Sequence, residues 1–222
     1  MFKFFKRRRR PDFWKKHIEV VQNSKKYNNF EEARFVVLDT ETTGFDYEND
    51  RILSIGAVAI KNNKIQVSDS FEVYIKQEVF NKETVKIHGI RRDGTEIKVS
   101  EAEALVQFLE YLDDAIIVAH HTKFDMTMIN KALRRIGGGT VRSKQLDTNF
   151  IHKKIAVEDR FKKMYSLDEL CSIYNVKKHD RHTALGDALI TAYLFLKLTY
   201  RYKKNNILDI DSLVKTNYQL GS

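Results

Sequence analysis

The chain has 222 residues and a hydrophobic content of 42%, which fits one α/β domain with additions at its ends. No apolar run approaches the ~20 residues of a membrane helix, and the N-terminus lacks the apolar core of a secretory signal. The single cysteine, Cys171, excludes an internal disulfide and is typical of a reducing compartment. We therefore expect a small core residue at Cys171 and a cytoplasmic protein.

The net charge of +9 is concentrated at the N-terminus. Residues 1–16 carry eight Lys or Arg side chains and one Asp, whereas the rest of the chain is nearly balanced. The segment FKFFKRRRR mixes Phe with cations, which suits a phosphate backbone or an anionic membrane surface, and a solvated tail is the competing interpretation. We predict an arm and a helix at 1–30, a folded domain at 31–203 and a short tail at 204–222.

The spacing of apolar residues predicts the elements in chain order. Pro11 opens a helix that runs to about residue 25. Five strands are predicted, namely Phe35–Asp39, Ile52–Ile60, Lys64–Ile75, Ala115–Ala119 and Gln145–Thr148, with a tight turn at Asn62-Asn63. Four more helices are predicted, the first with a capping box of Ser100 and Glu103, namely Glu101–Leu112, Asp125–Ile136, Ser166–Tyr174 and Ala184–Tyr202. This order predicts an α/β fold, a five-stranded mixed sheet flanked by helices.

The first motif with chemical content is VVLDTETTG. Asp39 and Glu41 are two residues apart, so on a strand both carboxylates lie on one side and can reach one cation. The pair lies at the carboxyl end of its strand, where open α/β sheets place their sites. Thr42, Thr43 and Gly44 would offer hydroxyl and backbone N–H groups to a nucleotide. Taken alone, the motif is explained equally well by an exposed strand end with ordinary acids.

The second motif, VAHHTKFD, follows the predicted strand AIIVA. Asp125 lies in the first turn of a helix, where the helix dipole favours negative charge, and that would suffice to explain it. A functional role for Asp125 is favoured because the strand that precedes it should lie beside the first strand. We expect His120 to contact substrate rather than a metal, because hard cations in carboxylate-rich sites prefer oxygen ligands.

The third motif, RHTALGDA, contains a histidine and an aspartate. Because five residues separate them, they would lie on different faces of one helix. We therefore place His182 just before the helix and Asp187 in its first two turns, between the small residues Gly186 and Ala188. An imidazole with an unperturbed pKa of about 6.5 is a natural proton acceptor near neutral pH.

The three motifs together predict a site for two divalent cations that hydrolyses phosphodiester bonds. Four carboxylates repel one another unless a cation cancels their charge, and Mg²⁺ or Mn²⁺ prefers oxygen ligands. Asp39 would bridge both ions, and Glu41 and Asp187 would complete the first site. The second ion would neutralise the departing 3′ oxygen, and Asp125 would hold it directly or through water. His182 would take a proton from the attacking water.

The motifs resemble those of the DnaQ-like 3′–5′ exonucleases of the DEDDh branch, the family of the proofreading epsilon subunit of bacterial replicative polymerase. The resemblance covers roughly residues 34–200 and extends to ILSIGAVAI, IHGI and SLDELC. The spacing of His182 and Asp187 marks the histidine branch. The resemblance implies a ribonuclease H-like fold, Mg²⁺ or Mn²⁺ as cofactors, the four carboxylates as ligands and His182 as general base.

The resemblance also implies that the terminal nucleotide is lined by Thr42, Gly44, His88, His120 and Phe124. Two positions depart from the family pattern, because His121 stands where Asn is usual and Ser54 stands where Glu is frequent. The segment QLDTNF at 145–150 loosely suggests a sliding-clamp peptide, but the family pattern makes it a strand inside the fold. The short C-terminal tail does not allow association with a polymerase or clamp to be inferred.

Three functions remain open at this point. The leading one is a metal-dependent 3′–5′ exonuclease that acts on single-stranded or frayed DNA 3′ ends, in proofreading or repair. The second is an exoribonuclease of the same fold, distinguished by a contact to the 2′-OH that the sequence does not reveal. The third is a nucleic-acid-binding module that acts through the basic arm, and an intact catalytic set argues against a protein that only binds.

Overall fold

The computed structural model describes residues 10–24, 29–156, 158, 164–204 and 207–214. Residues 1–9, which form most of the predicted phosphate-binding arm, lie outside the described residues. The strands in the described part are β1 (Phe35–Thr42), β2 (Ile52–Lys61), β3 (Lys64–Ile75), β4 (Lys98–Val99), β5 (Ile116–Ala119) and β6 (Gln145–Asp147). Its α-helices are α1 (Asp12–Gln22), α2 (Lys82–His88), α3 (Glu101–Leu112), α4 (Thr122–Arg135), α5 (Thr148–Ile155), α6 (Leu167–Tyr174), α7 (Ala184–Lys203) and α8 (Ile210–Val214).

The strands form one mixed sheet in the order β4-β3-β2-β1-β5-β6. Strands β1, β2 and β3 are antiparallel neighbours, whereas β5 lies parallel to β1 and β6 parallel to β5. The predicted mixed sheet is therefore confirmed, but it has six strands instead of five. The additional strand, β4, is two residues long, too short for an alternation of polar and apolar residues to predict it.

The turn between β2 and β3 has the predicted chemistry. Asn62 and Asn63 have φ angles of 53° and 56°, and positive φ at both central residues is what a two-residue hairpin with the twist of its strands requires. Asn adopts this conformation more readily than other non-glycine residues. The local sequence thus favours the hairpin that brings β3 back beside β2.

The predicted capping box at α3 is only half formed. Ser100 Oγ accepts a hydrogen bond from Glu103 N at 3.2 Å, but the Glu103 carboxylate accepts one from Gln107 at 3.4 Å instead of returning to the cap. The complete box forms at α6, where Ser166 Oγ accepts from Glu169 N and Glu169 Oε2 accepts from Ser166 N at 2.7 Å.

The core lies on both faces of the sheet. One cluster packs α5, α6 and α7 against one face and includes Cys171, which is buried as predicted, and the other packs α3 and α4 against the opposite face. Trp14 of α1 is 2% exposed in the second cluster, and Leu213 of α8 is buried in the first. The helices outside the predicted limits of 31 and 203 thus pack into the same core.

Helix α1 is held by the three glycines that end α4. A Cβ at Gly139 would lie 2.8 Å from Trp14 Cζ2, so the absence of a side chain makes room for the indole. The prediction that α4 stops at these glycines is confirmed, since its C-cap is Ile136 and Gly137 has a φ of 86°.

The segment QLDTNF lies inside the fold, as expected. Residues 145–147 form β6, and Asp147 caps α5 by accepting a hydrogen bond from Asn149 N at 2.8 Å. Its other oxygen accepts from Thr122 N at 2.7 Å, which fixes the start of α4. Thr148, predicted as the end of the strand, begins a helix because the Asp147 side chain satisfies the first free N–H groups.

In the described part of the chain, no helix has both the length and the apolarity to cross a bilayer.

Candidate active site

The predicted carboxylate pair lies at the carboxyl end of β1. Asp39 and Glu41 are both half-buried and, being two residues apart, lie on the same side of the strand. The neighbouring parallel strand β5 ends at the same edge, and α4 follows it directly. The predicted adjacency of the first and second motifs is confirmed, because parallel strands bring their carboxyl ends together.

Helix α7 reaches this edge because β2 has a glycine opposite Asp39. Gly56 is the register partner of Asp39, and a Cβ on Gly56 would lie 2.5 Å from Leu185 Cα and nearer still to the Ala184 backbone. Thr183 caps the helix and its hydroxyl accepts from Gly186 N at 3.1 Å. The close approach brings the first turn of α7 onto the sheet beside β1.

Substituting alanine for Gly56 should therefore displace the start of α7. We expect Gly56→Ala to lower kcat by about 10²-fold, since a shift of about 1 Å in a catalytic group can cost that much. The added methyl should also lower the free energy of unfolding by about 1–3 kcal/mol, as overpacking does. Steady-state kinetics and urea denaturation would measure both effects. A variant with wild-type kcat would show that α7 does not depend on this contact.

Three carboxylates converge at the edge. One oxygen each from Asp39, Glu41 and Asp187 lies within 4.8 Å of the other two. Asp187 lies in the first turn of α7 and is 6% exposed, and its Oδ1 is buried with no hydrogen-bond partner among the described residues. A buried carboxylate oxygen without a donor is costly unless a cation neutralises it. The donor set of three carboxylates therefore fits a hard divalent cation.

Asp125 lies beside this cluster and is engaged by β1. Its Oδ1 accepts hydrogen bonds from Thr40 N at 3.1 Å and from Thr40 Oγ1 at 2.7 Å. Burial raises the pKa of Asp125 to about 7, although the bonds from Thr40 act in the opposite direction. The three-carboxylate group does not include Asp125. The structure therefore brings three of the four predicted ligands into one group and places the fourth next to Asp39.

Burial and mutual repulsion disfavour the ionised forms of Asp39 and Glu41. Burial, followed by the charges of Asp125, Asp187 and Glu41, raises the pKa of Asp39 well above its ordinary value. Burial, followed by the charge of Asp187, raises the pKa of Glu41 to about 7. Groups with such shifts release protons readily when a cation binds, so cation binding and proton release are coupled here.

These shifts predict that the metal-free protein loses stability as pH rises. Between about pH 6.5 and 8, Glu41 and Asp125 lose protons in the folded state, whereas in the unfolded state they are already ionised. The unfolded state therefore binds fewer protons, and the free energy of unfolding should fall by roughly 2 kcal/mol. Burial lowers the pKa of His120 to about 3, which raises stability with pH mainly below pH 6.5 and offsets little of the loss in this window.

Urea denaturation in EDTA at pH 6.5 and 8 would measure this loss. Adding Mn²⁺ at pH 8 should restore the stability, because a cation binds the ionised cluster of the folded state alone. Equal free energies of unfolding at both pH values would contradict the assigned pKa shifts.

His182 lies just before α7, as predicted. It has a φ of 65°, its imidazole is exposed, and its backbone N–H donates to Asp187 Oδ2 at 3.2 Å. This left-handed residue turns the chain so that a histidine outside the helix and an aspartate inside it lie at one site.

Sequence reasoning missed Arg181, which contacts the cluster directly. Its Nη1 donates to Asp187 Oδ2, and its Nε and Nη2 donate to Asp168 at 3.1 and 3.3 Å. Asp168 lies in SLDELC, a segment that the family resemblance includes without a role. The adjacency of Arg181 to His182 was the one available signal, because its pairing with Asp168 spans 13 residues and depends on how α6 packs on α7.

The loop after β1 gives its threonines internal partners. Thr42 Oγ1 donates to Gly44 O at 2.8 Å, and Thr43 Oγ1 donates to Asp50 at 2.6 Å. Thr43 is fully buried with this partner, and the contact of its hydroxyl with a nucleotide stays a prediction. A Cβ at Gly44 would lie 2.8 Å from Asp50 Cγ, which shows how tightly this loop closes. Asp50 stabilises the loop by pairing with Thr43, seven residues earlier. The motif itself does not indicate this partner.

The other predicted substrate residues lie in three different surroundings. His120 is buried, and its Nδ1 lies 2.7 Å from Thr148 Oγ1, so the structure gives this ring an internal partner. His88 is buried and its Nδ1 accepts from Ile90 N at 3.0 Å, whereas its Nε2 has no partner in the described part of the chain. Phe124 is half-buried, so part of its ring is accessible.

Phe124 belongs to an aromatic patch that the sequence did not predict. Its ring centroid lies 5.6 Å from that of Phe45 and 5.7 Å from that of Tyr47. Phe45 is 81% exposed, which is unusual for a large apolar side chain. The patch adjoins the ends of the first and second motifs, and aromatic faces of this kind stack on nucleic acid bases.

The mixed sheet flanked by helices has a ribonuclease H-like fold, with two carboxylates at the end of β1 and a third at the start of α7. The chain belongs to the exonuclease family, because residues 36–195 match that family's sequence profile (RNase_T, described as Exonuclease).

Curated relatives support the same family. The PolC-type DNA polymerase III of Thermotoga maritima is 33% identical over 197 residues, which are 88% of this chain and 14% of that protein. The corresponding protein of Staphylococcus epidermidis (strain RP62A) is 32% identical over 187 residues, which are 82% of this chain and 13% of that protein. The chain therefore spans about one seventh of the length of these relatives.

Solved structures share the fold. Escherichia coli exonuclease I in complex with a dT13 oligonucleotide has a TM-score of 0.67 and 14% identity, covering 78% of this chain and 42% of that one. Exonuclease X in complex with 5′ overhanging duplex DNA has a TM-score of 0.60 and 18% identity, covering 83% and 98%. Cell-death related nuclease 4 has a TM-score of 0.62 and 17% identity, covering 77% and 64%.

Proposed function

We propose that this chain is a metal-dependent 3′–5′ exonuclease that releases nucleoside monophosphates from DNA 3′ ends by two-metal hydrolysis. The observation that carries the proposal is the group formed by Asp39, Glu41 and Asp187, in which one oxygen of each lies within 4.8 Å of the other two, beside an exposed His182. The pattern of the three motifs supports 3′–5′ polarity through its resemblance to the DEDDh branch.

Each residue of the site has its own role in the proposed reaction. Asp39, Glu41 and Asp187 would hold a divalent cation, which would lower the pKa of a bound water and offer positive charge to the departing 3′ oxygen. His182 accepts a proton from the attacking water, because its exposed imidazole can reach solvent while its backbone is tied to Asp187. Asp125 adds negative charge next to Asp39 for the second cation, directly or through water.

The surroundings of the cluster bind the strand in this proposal. Phe45 and Phe124 stack on bases near the 3′ end, since both rings adjoin catalytic motifs.

DNA is proposed as the substrate because of the relatives. The curated matches are DNA polymerases III of the PolC type, and exonuclease I of similar fold was solved with a dT13 oligonucleotide. Because the chain spans about one seventh of the PolC-type relatives, a role in proofreading or repair is a proposal for the protein that contains it.

The test compares one single-stranded oligonucleotide labelled at its 3′ end, the same DNA labelled at its 5′ end, and a matched RNA. In Mg²⁺ or Mn²⁺, the 3′-labelled DNA should release labelled mononucleotide at once, whereas the 5′-labelled DNA should shorten one nucleotide at a time. EDTA should abolish both reactions.

Immediate release of a mononucleotide from the 5′-labelled strand would contradict the polarity. No degradation with either metal would contradict the enzyme itself. Faster degradation of the RNA than of the DNA would replace the proposal with an exoribonuclease of the same fold.

A further inference from the structure

Arg181 connects the carboxylate cluster to a second acidic residue outside it. Its guanidinium lies between Asp187 of α7 and Asp168 of α6, with one donor directed at Asp187 and two at Asp168. The Arg181 side chain is 23% exposed and the Asp187 side chain 8% exposed, so the contact between them is largely shielded from water. Shielded, charge-assisted hydrogen bonds of this kind have well-defined geometry.

The outer end of this connection is fixed by a second cation. Lys178 Nζ lies 2.9 Å from Asp168 Oδ1, the same oxygen that receives Arg181 Nε. Asp168 itself lies in the first turn of α6, a helix with a complete capping box. Arg181 is therefore held from both sides by elements of the core, and a guanidinium fork bound in two places has little freedom to rotate.

The two carboxylate oxygens of Asp187 differ in their hydrogen-bond partners. Oδ2 accepts from Arg181 and from His182 N, whereas the buried Oδ1 has no donor among the described residues. With Oδ2 held, Oδ1 is the oxygen left for a ligand beside Asp39 and Glu41. A metal-binding carboxylate held through its other oxygen by a fixed donor is pre-oriented before the metal arrives.

We propose that Arg181 is a positioning residue that, anchored by Asp168, holds Asp187 so that Oδ1 is presented to a divalent cation. The inference rests on the proposed function, since it assigns a role to a residue next to the same cation site. It also opposes a simpler view in which Arg181 only neutralises the metal-free cluster. A neutralising cation competes with the metal, so its removal would tighten metal binding, whereas loss of a positioning residue weakens it.

The test measures Mn²⁺ binding to the full chain by isothermal titration calorimetry without nucleic acid. Arg181→Ala should weaken Mn²⁺ binding by about 10–100-fold, the usual effect of removing a group that orients a metal ligand. Lys177→Ala is the matched control, because it removes an exposed cation of the same loop and leaves the bonds from Arg181 to Asp168 and Asp187 in place. It should bind Mn²⁺ like the wild type.

A second variant guards against misfolding. Asp168→Asn keeps Arg181 but weakens its anchor, and it should shift Mn²⁺ affinity in the same direction as Arg181→Ala by a smaller factor. Thermal unfolding in EDTA shows whether each variant folds, and a merely structural role would lower the melting temperature without changing the Mn²⁺ affinity of the folded protein. Unchanged or tighter Mn²⁺ binding in the folded variants overturns the inference.

The outcomes separate this inference from the proposed function. A wild type that binds Mn²⁺ yet degrades no nucleic acid contradicts the exonuclease proposal and leaves the role of Arg181 to the binding data. An active wild type whose variants bind Mn²⁺ normally contradicts the role of Arg181 alone. A wild type without Mn²⁺ binding contradicts both.

Discussion

Asp39→Asn is expected to lower the rate of nucleotide release by at least ~10³-fold, or about 4 kcal/mol of transition-state stabilisation. Asp39 is the one carboxylate whose pKa is raised by all three others, so it lies at the centre of the cluster. The amide keeps the shape of the side chain but cannot supply the negative charge that holds a hard cation. Single-turnover release of a 3′-terminal nucleotide in saturating Mn²⁺ would measure the effect.

The same substitution should not destabilise the metal-free protein. Because burial disfavours the charged form of Asp39, the neutral amide should leave the free energy of unfolding in EDTA at pH 8 equal or higher. Asp93→Asn is a matched control, since it removes an exposed acid outside the cluster and should leave the rate unchanged. An active Asp39→Asn protein would mean that the cluster does not hold the catalytic cation.

His182→Asn is the second substitution with a large expected effect, a fall in kcat of about 10²–10⁴-fold. His182 is the proposed acceptor of the proton of the attacking water and belongs to no group of metal ligands in the described part of the chain. We therefore expect KM and Mn²⁺ affinity to stay near the wild-type values while kcat falls. Asn is preferred to Ala because His182 has a φ of 65°, which Asn tolerates better than most residues.

His179→Asn controls for this substitution. His179 is an exposed histidine of the same loop, three residues earlier, so its replacement changes the loop without touching the proposed base. Normal kcat in His179→Asn together with a large fall in His182→Asn would support the assignment. A fall of less than about tenfold in His182→Asn would assign the proton to another acceptor, since positioned acid–base groups contribute more than that.

Much of the site could be predicted from local spacing. Asp39 and Glu41 share a face because strand residues alternate. His182 could be predicted to precede α7 because two residues five positions apart would lie on different faces of one helix. Parallel pairing of β1 with β5 followed from the order of the elements, and it brought Asp125 beside Asp39.

Other parts of the site depend on contacts between distant segments. The Thr43 hydroxyl donates to Asp50, a partner that the motif does not indicate. The His120 ring is paired with Thr148 of α5, a helix that the apolar pattern did not reveal. Donors and acceptors of loops are satisfied by whichever groups the fold brings near, and residue type alone does not name the partner.

The amino-acid sequence by itself determined the order of the principal strands and helices, the family, and the residue types that converge at the end of β1. Only the tertiary structure decided that Gly56 lets α7 approach the sheet and that Arg181, anchored by Asp168, holds one oxygen of Asp187. The physical reason is the separation along the chain over which each interaction acts. Backbone periodicity and capping act within a few residues and can be recognised along the chain, whereas close packing and the pairing of buried charges are settled when separate elements meet.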